Sequence, residues 1–133
     1  MTTALDTNIL LDVLNAGAPH QRAAMAAVEE AGLQGTLVIS DVVYAELAAG
    51  FETREPLEAA LELVGVEVVG LGRPAAFTAG RIFAAYRRAG GHRRHILADF
   101  LIAAHAVHHA DRLLTRDRGF YREYFPDLKL MEP

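Results

Sequence analysis

Asp99 sits in a stretch, Phe100-Leu101-Ile102-Ala103-Ala104 followed by Ala106 and Val107, that leaves a helix almost no polar face. Such a helix is covered on most sides, and an unpaired ionised carboxylate there costs several kcal/mol even after relaxation. It needs a cation. Glu46 repeats the conflict as the one charge inside Val42-Val43-Tyr44-Ala45-Glu46-Leu47-Ala48-Ala49. Asp6 ends a short apolar run at the N-terminus, and Asp117 follows the run Arg112-Leu113-Leu114. If those two runs are parallel strands, both acids lie at the carboxyl edge of one sheet, where α/β folds place their sites. Four carboxylates share a small space in ionised form only when cations hold them. The chain has no cysteine, and hard oxygen donors favour Mg²⁺ or Mn²⁺. Such an ion activates water and stabilises a phosphoryl transition state, which is the chemistry of phosphodiester cleavage. For any single acid the alternative is an ion pair with an arginine or a helix cap. Asp12, Asp41, Asp111 and Asp127 read that way, as surface or capping residues.

A second group of residues suits phosphate. Twelve of the thirteen basic residues are arginine, and four of them fall in Arg87-Arg88-Ala-Gly-Gly-His92-Arg93-Arg94-His95. The planar guanidinium fork matches phosphate oxygens, so Arg93 and Arg94 are candidates for contacts to a nucleic-acid backbone. The alternative is a solvated loop between helices. The formal net charge of −4 argues against binding nucleic acid by bulk attraction alone.

Short β-rich runs alternate with alanine-rich helical stretches, and this alternation predicts a parallel α/β sheet flanked by helices. The expected strands are residues 2–5, 36–39, 66–69 and 112–114, with a possible edge strand at 128–131, giving four to five strands in all. Helices are expected over 8–14, 19–31, 41–49, 55–63, 74–88 and 97–110, with a short helical turn at 120–125. Pro19 and Pro74 suit first helical turns, Ser40 suits an N-cap, and Gly32 with Gly35 is expected to end the second helix. This order puts Asp6 and Asp117 at strand ends and Glu46 and Asp99 near helix starts.

At 133 residues the chain fits one domain, 1–133, with enough apolar residues, 52%, for an ordinary core. Absence of cysteine fits a reducing cytoplasm. No apolar stretch approaches the roughly 20 residues of a membrane helix, and Asp6 and Asp12 interrupt any leader-like run.

The ordered set Leu5-Asp6-Thr7-Asn8-Ile9-Leu10, Ser40 with Glu46, Asp99-Phe-Leu-Ile102-Ala103-Ala104-His-Ala106 and Leu114-Thr115-Arg116-Asp117-Arg118-Gly119-Phe120 resembles the PIN-domain ribonucleases, and among them the VapC-type toxins of toxin–antitoxin pairs. The resemblance spans nearly the whole chain. It implies a parallel sheet flanked by helices, Mg²⁺ or Mn²⁺, and endonucleolytic cleavage of RNA. Asp6 and Asp99 would be the main metal ligands, with Glu46 and Asp117 completing the cluster. Asn8 and Thr115 match positions that support it, although a structural role suits either. A homodimer is implied as well, and so is an antitoxin protein seated in a hydrophobic groove. His105 departs from the pattern, standing where that family usually has a smaller residue.

Other readings are a solitary RNA-processing PIN nuclease, a non-catalytic PIN-like module, a receiver-like Mg²⁺-binding signalling domain, and a zinc site on His105, His108 and His109. The receiver fits poorly because the only lysine, Lys129, lies in the expected edge strand, and zinc fits poorly because there is no HExxH pattern.

Overall fold

Asp6 directly follows the central strand of a five-stranded sheet. The structure, a computed structural model, describes residues 1–91 and 96–133, so Arg93 and Arg94 lie outside the described residues. The strands β1 (Thr2–Leu5), β2 (Thr36–Ile39), β3 (Val66–Val68), β4 (Arg112–Leu114) and β5 (Leu130–Met131) stand in the order β3-β2-β1-β4-β5. All neighbours are parallel, and Thr3 pairs with Leu37 on one side of β1 and with Arg112 on the other. A receiver-like sheet of order 2-1-3-4-5 places β1 between β2 and β3. Here β1 lies between β2 and β4, and that alternative is overturned by topology.

Seven helices occur among the described residues: α1 (Thr7–Leu14), α2 (Gln21–Gln34), α3 (Asp41–Ala48), α4 (Arg54–Val64), α5 (Gly72–Arg88), α6 (Leu97–His109) and α7 (Arg118–Tyr124). The chain moves one way along the sheet from β1 to β3 and then returns past β1 to β4. Right-handed crossovers therefore put α1 to α4 on one face of the sheet and α5 and α6 on the other. The reversal makes the gap between β1 and β4 the topological switch point, where ligands of such sheets bind.

Two helix ends differ from expectation. The second helix begins after Pro19, runs through Gly32 and ends only at Gly35. A Cβ on Gly35 would fall 1.7 Å from the Met1 carbonyl oxygen, which Thr36 N–H uses as its acceptor at 3.0 Å. The chain can thus turn into β2 only at a residue without a side chain. Helix α5 begins at Gly72 rather than Pro74, and the proline still sits in the first turn, where no N–H is required.

Helix α6 is the covered helix that its composition predicts. Phe100, Ile102, Ala103, Ala104, His105 and Ala106 are all buried. Phe100 joins Phe83 of α5 and Phe120 of α7 at centroid distances of 5.1 and 5.2 Å, which fixes the first turn of α6 against both helices. No helix among the described residues is long and apolar enough to cross a membrane.

Candidate active site

Asp6 leaves β1 and serves as the N-cap of α1. Its Oδ1 accepts from the Thr7 N–H at 2.8 Å. Its Oδ2 accepts from the Thr115 hydroxyl at 2.7 Å, the Tyr121 hydroxyl at 3.0 Å and the Asn8 amide at 3.3 Å. The residue is only 6% exposed. Burial pushes its carboxyl above the usual carboxylate range, the hydroxyl and N–H donors pull it back, and the charge of Asp99 pushes it further up. No lysine or arginine pairs with it among the described residues.

The three remaining acids occupy different environments. Asp99 is half-buried in the first turn of α6, and its Oδ2 accepts from the Ile96 N–H at 3.1 Å. Its field reaches both Asp6 and Tyr121. Glu46 is exposed, contrary to the burial that its apolar neighbours suggest. The buried face of α3 is Val43 and Leu47, and Glu46 points away from it with Oε1 accepting from the Thr7 hydroxyl at 2.5 Å. Asp117 is exposed at the start of α7, where its backbone N–H donates to the Thr115 hydroxyl at 2.9 Å and its charge acts on Tyr121. Asp6 and Asp99 are thus coupled, while among the described residues no three acids or histidines form a ready-made ligating group.

The expected supporting residues Asn8 and Thr115 both border Asp6 and approach each other at 3.5 Å. Asn8 also accepts the Arg116 N–H at 3.3 Å, so α1 and the segment after β4 are bonded side by side. Three further participants were not among the expected site residues. Tyr121 is buried, and its hydroxyl is held protonated by that burial and by the charges of Asp6, Asp99 and Asp117. Thr7 holds Glu46. Arg116 grips Asp12 through Nε at 2.7 Å and Nη2 at 3.3 Å. Asp12 is buried rather than on the surface, because it lies one turn beyond Asn8 on the face of α1 that meets this segment. The spacing Asp117 to Tyr121, one helical turn, was the available signal for the tyrosine.

The histidines are not ligands of a common ion. The Nε2 atoms of His105 and His109 lie 2.8 Å from the Val69 and Leu71 carbonyls, and His108 Nε2 lies 2.9 Å from the Thr78 hydroxyl.

An all-parallel sheet with a buried acid at its switch point, electrostatically coupled to a second acid on α6, defines an α/β protein with an acidic carboxyl edge. The family model described as PIN domain matches residues 3–126, and the chain belongs to that family. Among solved structures it is similar to a chain of VapBC2 from Rickettsia felis bound to a promoter DNA fragment, with 25% identity, 99% of this chain and 98% of that chain covered, and a TM-score of 0.75. It is also similar to VapBC-1 from nontypeable Haemophilus influenzae, with 26% identity, coverage of 99% and 98%, and a TM-score of 0.74. DNA-bound VapBC from Salmonella typhimurium gives 26% identity, the same coverage and a TM-score of 0.68. No curated protein matches the chain.

Proposed function

We propose that the chain is a Mg²⁺- or Mn²⁺-dependent endoribonuclease and the toxin of a toxin–antitoxin pair. The observation that carries this is Asp6, a buried carboxylate with no cationic side chain against it among the described residues. Three donors occupy its Oδ2, whereas Oδ1 takes one N–H and keeps a lone pair. The donor set fits Mg²⁺, which retains several waters and is commonly bound through one or two carboxylates. Asp6 and Asp99 would hold it, so a ready-made group of three is not required. When bound, such an ion supplies an acidified water and a positive charge for the phosphoryl transition state.

The chain's own residues do the rest. Thr115 and Tyr121 fix the rotamer of Asp6, and neutral Tyr121 donates to it without adding charge. Thr7 occupies Oε1 of Glu46, which leaves Oε2 to accept a proton from the attacking water. Asp117 orients that water from the start of α7.

The antitoxin half of the proposal is supported by the VapBC structures, which are toxin–antitoxin complexes, and by an apolar groove of about 460 Å³ on the α1 to α4 face. Val13, Leu14, Met25, Val28, Leu63 and Val64 line it. The antitoxin would lay apolar side chains there. The proposal includes homodimerisation, which light scattering measures, and an RNA substrate in the cytoplasm.

The test is cleavage of RNA by the purified chain with Mg²⁺ or Mn²⁺ and with chelator. Activity is expected only with metal and is lost in Asp6→Asn and Asp99→Asn. Mn²⁺ should raise the melting temperature of the wild type and not of Asp6→Asn, which separates lost ligation from misfolding. Metal-dependent cleavage retained by both variants would overturn the site.

A further inference from the structure

Helix α5 carries Arg73, Arg81, Arg87 and Arg88 and no acid, in a chain whose net charge is −4. At 100° per residue Arg73, Phe77, Arg81 and Arg88 fall on one face, and all four are exposed, Phe77 at 71%. Arg87 lies off this face, its guanidinium held 5.8 Å from the centroid of the Phe83 ring. Arg73, Arg81 and Arg88 have no ion-pair or hydrogen-bond partner among the described residues. Ala84 lies between them on the same face, with Gly80 at its edge, and these small residues leave the surface between the arginines low.

Helix electrostatics do not account for this row. Cations suit the C-terminal turn, which explains Arg88, but Arg73 is the second residue of α5, where the macrodipole opposes positive charge. The C-terminal end of α5 lies close to the acids, although the row itself is on the side of α5 opposite the buried Ala75, Ala79 and Tyr86. Tyr86, two residues before Arg88, packs on Phe100 at 5.3 Å and on Tyr124 at 5.1 Å, and Gly91 N–H returns to the Tyr86 carbonyl at 2.9 Å. Phe100 is the neighbour of Asp99. The end of α5 therefore abuts the first turn of α6 at the candidate site, and the row runs along the outer face of the same helix, from Arg88 near that end back over a distance of ~22 Å, at ~1.5 Å per residue.

We propose that this face of α5 is a binding track for the single-stranded RNA flanking the cut bond, an inference that rests on the ribonuclease assignment above. Unpaired guanidinium groups at intervals along a helix match the phosphates of a polyanion. An exposed phenylalanine among them offers a ring on which an unstacked base lies, the combination that single-strand binders use.

The test uses the full chain bearing Asp6→Asn, with Mg²⁺ and a fluorescein-labelled single-stranded 20-nucleotide RNA, and reads affinity by anisotropy across a salt series. Arg73→Gln, Arg81→Gln and Arg88→Gln together are expected to flatten the slope of log affinity against log salt by about 2, at ~0.7 per phosphate contact. Phe77→Ala alone is expected to weaken binding about 5- to 150-fold with the slope unchanged. All four positions are exposed, and unchanged melting temperatures check that the variants fold. If the parent chain binds RNA and these variants match it in affinity and slope, the track is overturned while the ribonuclease assignment stands. A shift from dimer to monomer by light scattering, with the RNA slope unchanged, would make the face a contact between copies and also overturn it. If the wild type neither binds nor cuts RNA, the ribonuclease assignment fails and the track with it.

Discussion

Tyr121 ties two acids together, since its hydroxyl reaches Asp6 at 3.0 Å and its helix opens at Asp117 one turn earlier. Removing that hydroxyl leaves Asp6 buried with one donor fewer and free to change rotamer. Groups in this position around metal ligands typically contribute 10- to 100-fold in affinity. Tyr121→Phe is accordingly expected to weaken Mn²⁺ binding by ~10-fold or more, measured by titration calorimetry or by the spin signal of free Mn²⁺, with the fold unchanged by circular dichroism. A lower melting temperature with unaltered Mn²⁺ affinity would reduce Tyr121 to a packing residue. At this scale the sequence marked Asp6 by its place at a strand end and Asp99 by its apolar helix, and the structure buries the first and half-buries the second. Glu46 shows the limit of that signal: in a helix with two buried positions, apolar neighbours do not say which way the acid points. Tyr121 escaped notice because an aromatic in a short helix is ordinarily core, and its hydroxyl's partner is 115 residues away in the chain.

The segment after β3 is fastened by α6. His105 and His109 face the carbonyls of Val69 and Leu71 at 2.8 Å, and their rings lie 4.9 Å apart. Burial lowers the His105 pKa below its ordinary 6.5, as does the neighbouring His109, while the Val69 carbonyl and the charge of Asp41 oppose this. The unfolded chain then takes up a proton at this position before the folded chain does. Its contribution to stability is intact above pH ~6.5 and falls as the pH drops from there through the folded-state value. Asp6 works in the opposite sense, because its raised pKa favours the folded state at low pH and that benefit is lost as the pH rises. The comparison that isolates the histidine is wild type against His105→Gln, whose amide can still donate to Val69. Urea midpoints should converge or cross in favour of the variant as pH falls below ~6.5, and parallel midpoints across pH 5 to 8 would remove the histidine from the account. Elements were more legible than residues, since period, capping Ser40 and strand composition located β1, β2, β4 and α6 within a residue. The end of α2 was legible only in part: Gly35 was among the expected terminators, but that the helix runs through Gly32 to reach it depends on Gly35 passing the Met1 carbonyl, a contact between segments that no local pattern contains.

Across the molecule, charge and apolarity are separated by the sheet. Helix α4, on one face, carries Glu55, Glu58 and Glu62 and helps line the apolar groove, whereas α5, on the other, carries only arginines among its charged residues. An antitoxin seated in the groove and an RNA strand on α5 would thus approach the carboxyl edge from opposite faces, so inhibition would come from what the antitoxin extends toward the acids. On those proposals the determinants of inhibition and of cleavage lie on different residues. Met25 is 51% exposed and Leu63 is 89% exposed, so neither holds the core together, yet both line the groove. Met25→Glu with Leu63→Glu puts two carboxylates beside Glu29 in a groove otherwise lined by apolar side chains and Gly32. Desolvating those charges on docking is expected to cost about 2 kcal/mol or more, or ~30-fold in affinity. Metal-dependent RNA cleavage should remain at the wild-type rate while the antitoxin concentration needed for half-inhibition rises by at least that factor. The measurement is a titration of cleavage with the purified antitoxin, and an unmoved inhibition curve would show that the antitoxin docks elsewhere on the chain.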